Sequence, residues 1–96
     1  MIKNIDAHEL KQMMKIDKYI QLIDVRENYE FNDEHIDGAK LIPLGQLQAR
    51  INEIDKDKKA VMICRSGARS SYAAQFLVQK GYKHIYNLSG GMMMWD

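Results

Sequence analysis

The single cysteine, Cys64, ends an apolar run at 60–64, and Arg65, Gly67 and Arg69 follow it closely. That grouping can make a nucleophile. A thiol reacts as its thiolate; a free cysteine titrates near ~8.5, and cationic neighbours or a helix N-terminus lower that to roughly 3.5–7.5. Arg65 and Arg69 supply the cations. A helical pattern that begins near Ser70 supplies the positive end of a helix dipole. The small residues Ser66, Gly67 and Ala68 let successive backbone N–H groups turn inward as an anion nest. With no second thiol, the chain cannot close an internal disulfide, build a multi-cysteine zinc site or resolve an oxidised Cys64 by itself. Whatever Cys64 acquires must leave to an outside acceptor. No metal and no cofactor is expected.

The elements that must hold this segment alternate between strand and helix. Residues 2–5 read as a short edge strand. Asp6 caps a helix over 7–15, with Glu9 at capping-box spacing and Leu10, Met13 and Met14 as its apolar stripe. Residues 19–25 form a buried strand around Leu22, Ile23 and Val25. A short helix spans 28–34, and a brief strand at 39–42 is closed by Pro43. Leu44, Leu47, Ile51 and Ile54 fall at helical spacing, which predicts a helix over 44–54. The run at 60–64 is the most apolar strand, as expected of a central parallel strand covered on both faces. The helix over 70–80 carries Ala73, Ala74, Leu77 and Val78 on one face, with Gly81 placed as its C′ residue. A last strand covers 82–88, and Gly90 and Gly91 turn into a short helix at 92–95. Such alternation specifies one α/β domain over residues 1–96 with a mainly parallel sheet. Ligands of such sheets bind beyond the carboxyl ends of strands. Cys64 stands at one such end, and Asp24, Val25 and Arg26 stand at another.

The remaining polar candidates have structural readings. Arg26 pairs with Glu30 if a helix begins there. Asp24 suits bonds to backbone groups near the loop. His35 suits a hydrogen bond that stabilises a turn, and His8 and His84 face solvent. Ser66, Ser70 and Ser71 read as loop donors or caps, because no base is paired with them. Met92, Met93 and Met94 read as fillers of core gaps, and no functional role is assigned to them.

Bulk properties exclude several partners. Hydrophobic residues make up 46% and charged residues 28% of the 96 residues, with a formal net charge of +1. These are values of an ordinary globular domain without the basic footprint of a nucleic-acid binder. No like-charge run favours a membrane surface, and no apolar run approaches a membrane span. The segment MIKNIDAHEL has none of the apolar stretch of a secretory leader. A lone free thiol then suggests the reducing cytoplasm.

Several segments together resemble single-domain rhodaneses, the thiosulfate sulfurtransferase family. They are LIDVRE at 22–27, HIDGA at 35–39, IPL at 42–44, CRSGARS at 64–70 and NLSGGMMMW at 87–95. The resemblance covers nearly the whole chain, and the cysteine loop is its most specific part. One departure is visible: Asp37 stands where the family has proline after His-Ile, in a connecting turn. The resemblance implies a five-stranded parallel sheet with helices on both faces. It implies that Cys64 carries a persulfide, cradled by Arg65, Ser66, Gly67, Ala68 and Arg69, with Asp24, Arg26, His35 and Ser70 in support. The implied reaction moves sulfur from thiosulfate or a similar donor to cyanide, a small thiol or a protein thiol. An alternative is a persulfide carrier or docking module, loaded by a protein donor such as a cysteine desulfurase. A non-catalytic interaction domain would lack the cysteine that this chain keeps. Rhodanese-related phosphatases and arsenate reductases carry a C-x5-R loop. Here Arg69 closes a C-x4-R loop, Ser70 occupies the later position, and Ile63 stands where that motif has histidine.

Overall fold

The computed structural model describes residues 2–96, which form a five-stranded, wholly parallel sheet. Its strands are β1 (Ile2–Ile5), β2 (Gln21–Asp24), β3 (Lys40–Leu41), β4 (Ala60–Ile63) and β5 (Ile85–Leu88), in the order β1-β5-β4-β2-β3. β4 is central and every residue of it is buried. Its side chains alternate between two cores, as a strand covered on both faces requires. Ala60, Met62 and Cys64 enter one core, with Ile23, Leu47, Ala73 and Leu77. Val61 and Ile63 enter the other, with Leu10, Leu22, Ile36 and Leu88.

Three α-helices flank the sheet: α1 (Ala7–Ile16), α2 (Asn28–Asp33) and α3 (Ala68–Gln79). α1 starts with the reciprocal cap its sequence predicts. The Glu9 amide donates to Asp6 Oδ1 at 2.8 Å, and the Asp6 amide donates to Glu9 Oε1 at 3.0 Å. α3 begins two residues earlier than its apolar pattern suggested, so Ala68 and Arg69 belong to its first turn. Among the described residues, no helix is long and apolar enough to cross a membrane.

Residues 44–54 depart from the expected continuous helix. They form two short 3-10 turns, Leu44–Gln46 and Ile51–Glu53. Gly45 weakens the start, and Arg50 breaks the path with φ −110° and ψ 17°. The apolar spacing still does its work, since Leu47 and Ile54 are buried. The Tyr82 hydroxyl, 2.9 and 3.0 Å from the Ile51 and Ile54 carbonyl oxygens, pins the second turn. The expected C-terminal helix is likewise a 3-10 turn, Gly91–Met94. Only Met92 of its three methionines fills the core; Met93 and Met94 are 63% and 66% exposed.

Two long-range contacts fix the segment after β4. Arg69 on α3 grips Glu30 on α2, Nη1 donating to Oε1 at 2.7 Å and Nη2 to Oε2 at 2.9 Å. The C-terminal turn braces the segment from another side. The Met92 amide donates to the Cys64 carbonyl at 2.9 Å and the Met93 amide to the Arg65 carbonyl at 3.0 Å. Gly91 makes this approach possible: its φ is +52°, and a Cβ there would collide with Cys64 O and lie 2.6 Å from Arg65 C and O.

Two stability outcomes follow from these contacts. Gly91→Ala should cost about 1–3 kcal/mol through the strained φ and the backbone collision. Urea unfolding should show a lowered midpoint. Gly45→Ala, at a position with no heavy atom within 4 Å of a new Cβ, should change it by only about 0.5 kcal/mol or less. Glu30 gives a pH dependence. Its Arg69 partner lowers the Glu30 carboxyl to about 2 from an ordinary 4.5. Because the folded value is the lower one, the pair's contribution is complete above pH 4.5 and disappears as pH falls toward 2. Being partly exposed, it should amount to about 1 kcal/mol or less. Glu30→Gln should flatten the wild-type stability curve in that acid window when melts are compared pH by pH.

Candidate active site

β4 delivers Cys64 to the carboxyl edge of the sheet, where the chain reverses at 65–67 before α3 begins. The reversal turns on Gly67, whose φ of +106° is one that side-chain-bearing residues avoid. It folds the first turn of α3 back over the sulfur. The Gly67 amide donates to Cys64 Sγ at 3.1 Å, and the Ser70 amide donates to it at 3.3 Å. The Ser70 hydroxyl lies 3.2 Å from the same atom. The first amides of any helix lack an intrahelical acceptor; here Ser70 finds one in a thiol. Cys64 is only 1% exposed.

Burial by itself pushes the Cys64 thiol up. The Ser70 hydroxyl and the amides of Ser70, Gly67 and Ser66 outweigh it and hold the thiol below its ordinary value. Inward-turned amides are what the sequence predicts around Cys64, beside the cations and the helix end. At atomic contact the work is done by hydrogen bonds that favour the charged form. Arg69 adds a weaker, longer-range attraction, its guanidinium being already paired with Glu30. Arg65, Ser66 and Ala68 are exposed on the outside of the loop.

The supporting residues sit as follows. Ser70 is fully buried against the sulfur. Arg26 pairs with Asp24, not with Glu30, because it precedes the α2 N-cap, Glu27, and so is not on that helix. Its Nη2 donates to Asp24 Oδ2 at 2.8 Å and to the Glu34 carbonyl at 2.7 Å. Asp24 Oδ1 also accepts the Arg26 amide at 3.1 Å. This buried ion pair is well furnished with hydrogen bonds and fixes the exit from β2. His35 Nδ1 lies 2.8 Å from the Phe31 carbonyl, and its ring stacks on Phe31 at 3.8 Å, closing the end of α2. His8 and His84 are exposed. No group of three metal-ligating side chains occurs among the described residues.

Sequence reasoning missed three contributors. Glu30, which helical spacing would pair with Arg26, holds Arg69. The Gly90-Gly91 pair, a turn by its sequence, also lets the chain press on the cysteine loop. Asn87, 5% exposed, accepts a 2.5 Å hydrogen bond from the Ser70 hydroxyl. One signal could have found Asn87: it lies near the end of a strand that pairs in parallel with β4, opposite Met62.

With this geometry in hand, the chain can be compared with known proteins. The rhodanese-like domain family matches residues 6–96. YtwF of Bacillus subtilis (strain 168) is 40% identical, over 99% of this chain and 91% of its own. The thiosulfate sulfurtransferase GlpE of Shewanella oneidensis is 36% identical, over 97% of this chain and 91% of its own. A crystal structure of a rhodanese-like domain protein from Staphylococcus aureus matches with a TM-score of 0.91 at 32% identity, over 98% of this chain and 91% of that one. The five-stranded parallel sheet is thus that of a known fold, and this chain belongs to the rhodanese-like domain family.

Proposed function

We propose that this protein is a sulfurtransferase. It moves a sulfane sulfur from thiosulfate or a similar donor, through a Cys64 persulfide, to a thiophilic acceptor such as cyanide, a small thiol or a protein thiol. The observation that carries this reading is the convergence of the Gly67 and Ser70 amides on a single sulfur atom, Cys64 Sγ. The similarity to a thiosulfate sulfurtransferase along nearly the whole chain supports it.

In the first half-reaction the Cys64 thiolate attacks the outer sulfur of thiosulfate. A bond forms between Sγ and that sulfur, the sulfur–sulfur bond of the donor breaks, and sulfite leaves with the electron pair. Sulfite is a good leaving group, so no proton relay is needed. In the second half-reaction the acceptor attacks the outer sulfur and Sγ recovers its electron pair. Negative charge stays at one place throughout, first on Sγ and then on the persulfide. Donors already fixed at that place stabilise it with little reorganisation. The backbone of Ser66, Gly67 and Ala68 forms the cradle for the outer sulfur. Arg65, exposed at its rim, draws in the dianionic donor. Arg69, braced by Glu30, holds the loop against α2 and adds its longer-range attraction.

A second reading, a persulfide carrier served by a protein donor such as a cysteine desulfurase, is favoured by one feature. Met93, hydrogen-bonded to the Arg65 carbonyl, and Met94 expose apolar side chains beside the loop. Adaptable methionines suit contact with protein surfaces.

Thiosulfate treatment should add one sulfur to the native protein by intact mass, and cyanide or dithiothreitol should remove it. Cys64→Ser should show no adduct and only background transfer. If a persulfidated protein donor loads Cys64 orders of magnitude faster than thiosulfate does, the carrier reading prevails. The pH dependence has a definite sign. With a lowered thiol, alkylation should reach its plateau below the ~8.5 midpoint of a free cysteine and slow only on acidification. An alkylation midpoint at the free-thiol value would refute the activated sulfur.

A further inference from the structure

Asn87 stands beside Ser70 and has no part in the sulfur transfer described so far. Its side chain is tied on every side. Nδ2 donates to Asn4 Oδ1 at 3.1 Å and to the Gly67 carbonyl at 3.4 Å, which uses both amide protons and turns Oδ1 toward Ser70. The Ser70 hydroxyl donates to that oxygen at 2.5 Å. Ser70 Oγ is also 3.2 Å from Cys64 Sγ. A hydroxyl has one proton, so it cannot donate to both.

The geometry points to Asn87 as a positioning residue that competes with the Cys64 sulfur for the Ser70 proton and thereby sets how readily the thiol ionises. This rests on the reading of Cys64 as the nucleophile. With a neutral thiol the chain runs in one direction: S–H donates to Ser70 Oγ, and Ser70 O–H donates to Asn87 Oδ1. When the thiol loses its proton to water, Sγ becomes purely an acceptor. The Ser70 hydroxyl must then swing its proton onto the sulfur, which leaves the buried Asn87 Oδ1 without that donor. Once the sulfur takes up a second sulfur atom, Sγ is no longer the charged centre and the Ser70 proton returns to Asn87. No bond other than hydrogen bonds changes in this turn of the hydroxyl.

Such competition has a chemical use. Nucleophilicity falls as thiol pKa falls, and the optimum attacking thiol titrates near ambient pH. The amides of Ser66, Gly67 and Ser70 all favour the charged form. A group that opposes them keeps the thiolate from becoming too stable to attack. The charged groups around the cysteine are Arg65 on the loop, Arg69 on α3, Glu27 and Glu30 at α2, and Asp24 and Arg26 at the end of β2. All of them persist when Asn87 or Ser70 is changed, so their effect is common to the proteins compared.

The test is the pH dependence of iodoacetamide alkylation on the whole chain, for wild type, Ser70→Ala, Asn87→Ala and the double variant. Ser70→Ala should raise the midpoint, because the thiolate loses a donor. Asn87→Ala should lower it by about half to one pH unit, because the hydroxyl is released to the sulfur. The double variant should titrate like Ser70→Ala alone, which separates action through that hydroxyl from any effect of losing the Asn87 bond to the Gly67 carbonyl. A midpoint for Asn87→Ala that is unchanged or raised overturns the proposal, and so does the same downward shift in the Ser70→Ala background. Asn87→Leu, of similar volume, makes the same comparison if the alanine variant does not fold. Alkylation reads the thiol and not turnover, so a protein that no sulfur donor loads would refute the sulfurtransferase reading while leaving this result standing.

Discussion

A charge on a buried sulfur is tolerable only where donors converge on it, and this requirement shapes the end of β4. Cys64 is 1% exposed, so water cannot do the stabilising. Desolvation of an ion in such a place is costly. The fold answers with the Gly67 and Ser70 amides and the Ser70 hydroxyl at 3.1 to 3.3 Å. These donors belong to the backbone path as much as to side chains. They can be aimed only if the chain turns sharply at Gly67 and enters a helix at once.

The turn is held by elements distant in sequence. The segment after β5 lays its amides on the Cys64 and Arg65 carbonyls. Gly91 permits the contact by having no Cβ. On the other side, Arg69 ties the start of α3 to α2 through Glu30. The loop is therefore clamped between two elements, each anchored on the sheet or its flanking helix. An exposed five-residue loop without those clamps would spend its time in many shapes, and its amides would rarely point at one atom. Packing, hydrogen bonding and thiol chemistry are here consequences of one backbone conformation.

Much of this was legible in the sequence for local reasons. Continuous apolar residues at 60–64 identify a strand buried on both faces. Asp6 and Glu9 announce a helix start. The order of strands and helices indicates a mainly parallel sheet, and the resemblance carried by the motifs at 22–27, 64–70 and 87–95 implies the five strands that the structure shows. What was not legible depends on pairing across distance. Arg69 and Glu30 are 39 residues apart, and nothing local tells Glu30 to prefer Arg69 over Arg26. Arg26 in turn folds back on Asp24, two residues away, because strand end and helix start make a corner between them. The apolar spacing over 44–54 reported burial correctly, but two short turns can bury the same side chains as one helix. Periodicity alone does not distinguish them, and the Tyr82 hydroxyl that holds the second turn lies 28 residues beyond Ile54.

Loop length links this geometry to the choice of chemistry. A cradle for a tetrahedral oxyanion needs donors spread around a volume and a guanidinium free to close on it. In this chain the Gly67 and Ser70 donors already lie within hydrogen-bond distance of Sγ itself. The arginine that ends the C-x4-R loop gives both terminal nitrogens to a carboxylate at 2.7 and 2.9 Å. To serve an oxyanion, Arg69 would have to abandon a bidentate partner, and Glu30 would remain as a negative charge near the incoming ligand. Repulsion from that carboxylate works against a multiply charged group that must settle deeply. It weighs far less on a single added sulfur atom, the centre that the proposed persulfide would present at Cys64. The same ion pair that braces the loop thus biases it toward small, soft anionic centres and away from phosphate-sized ones.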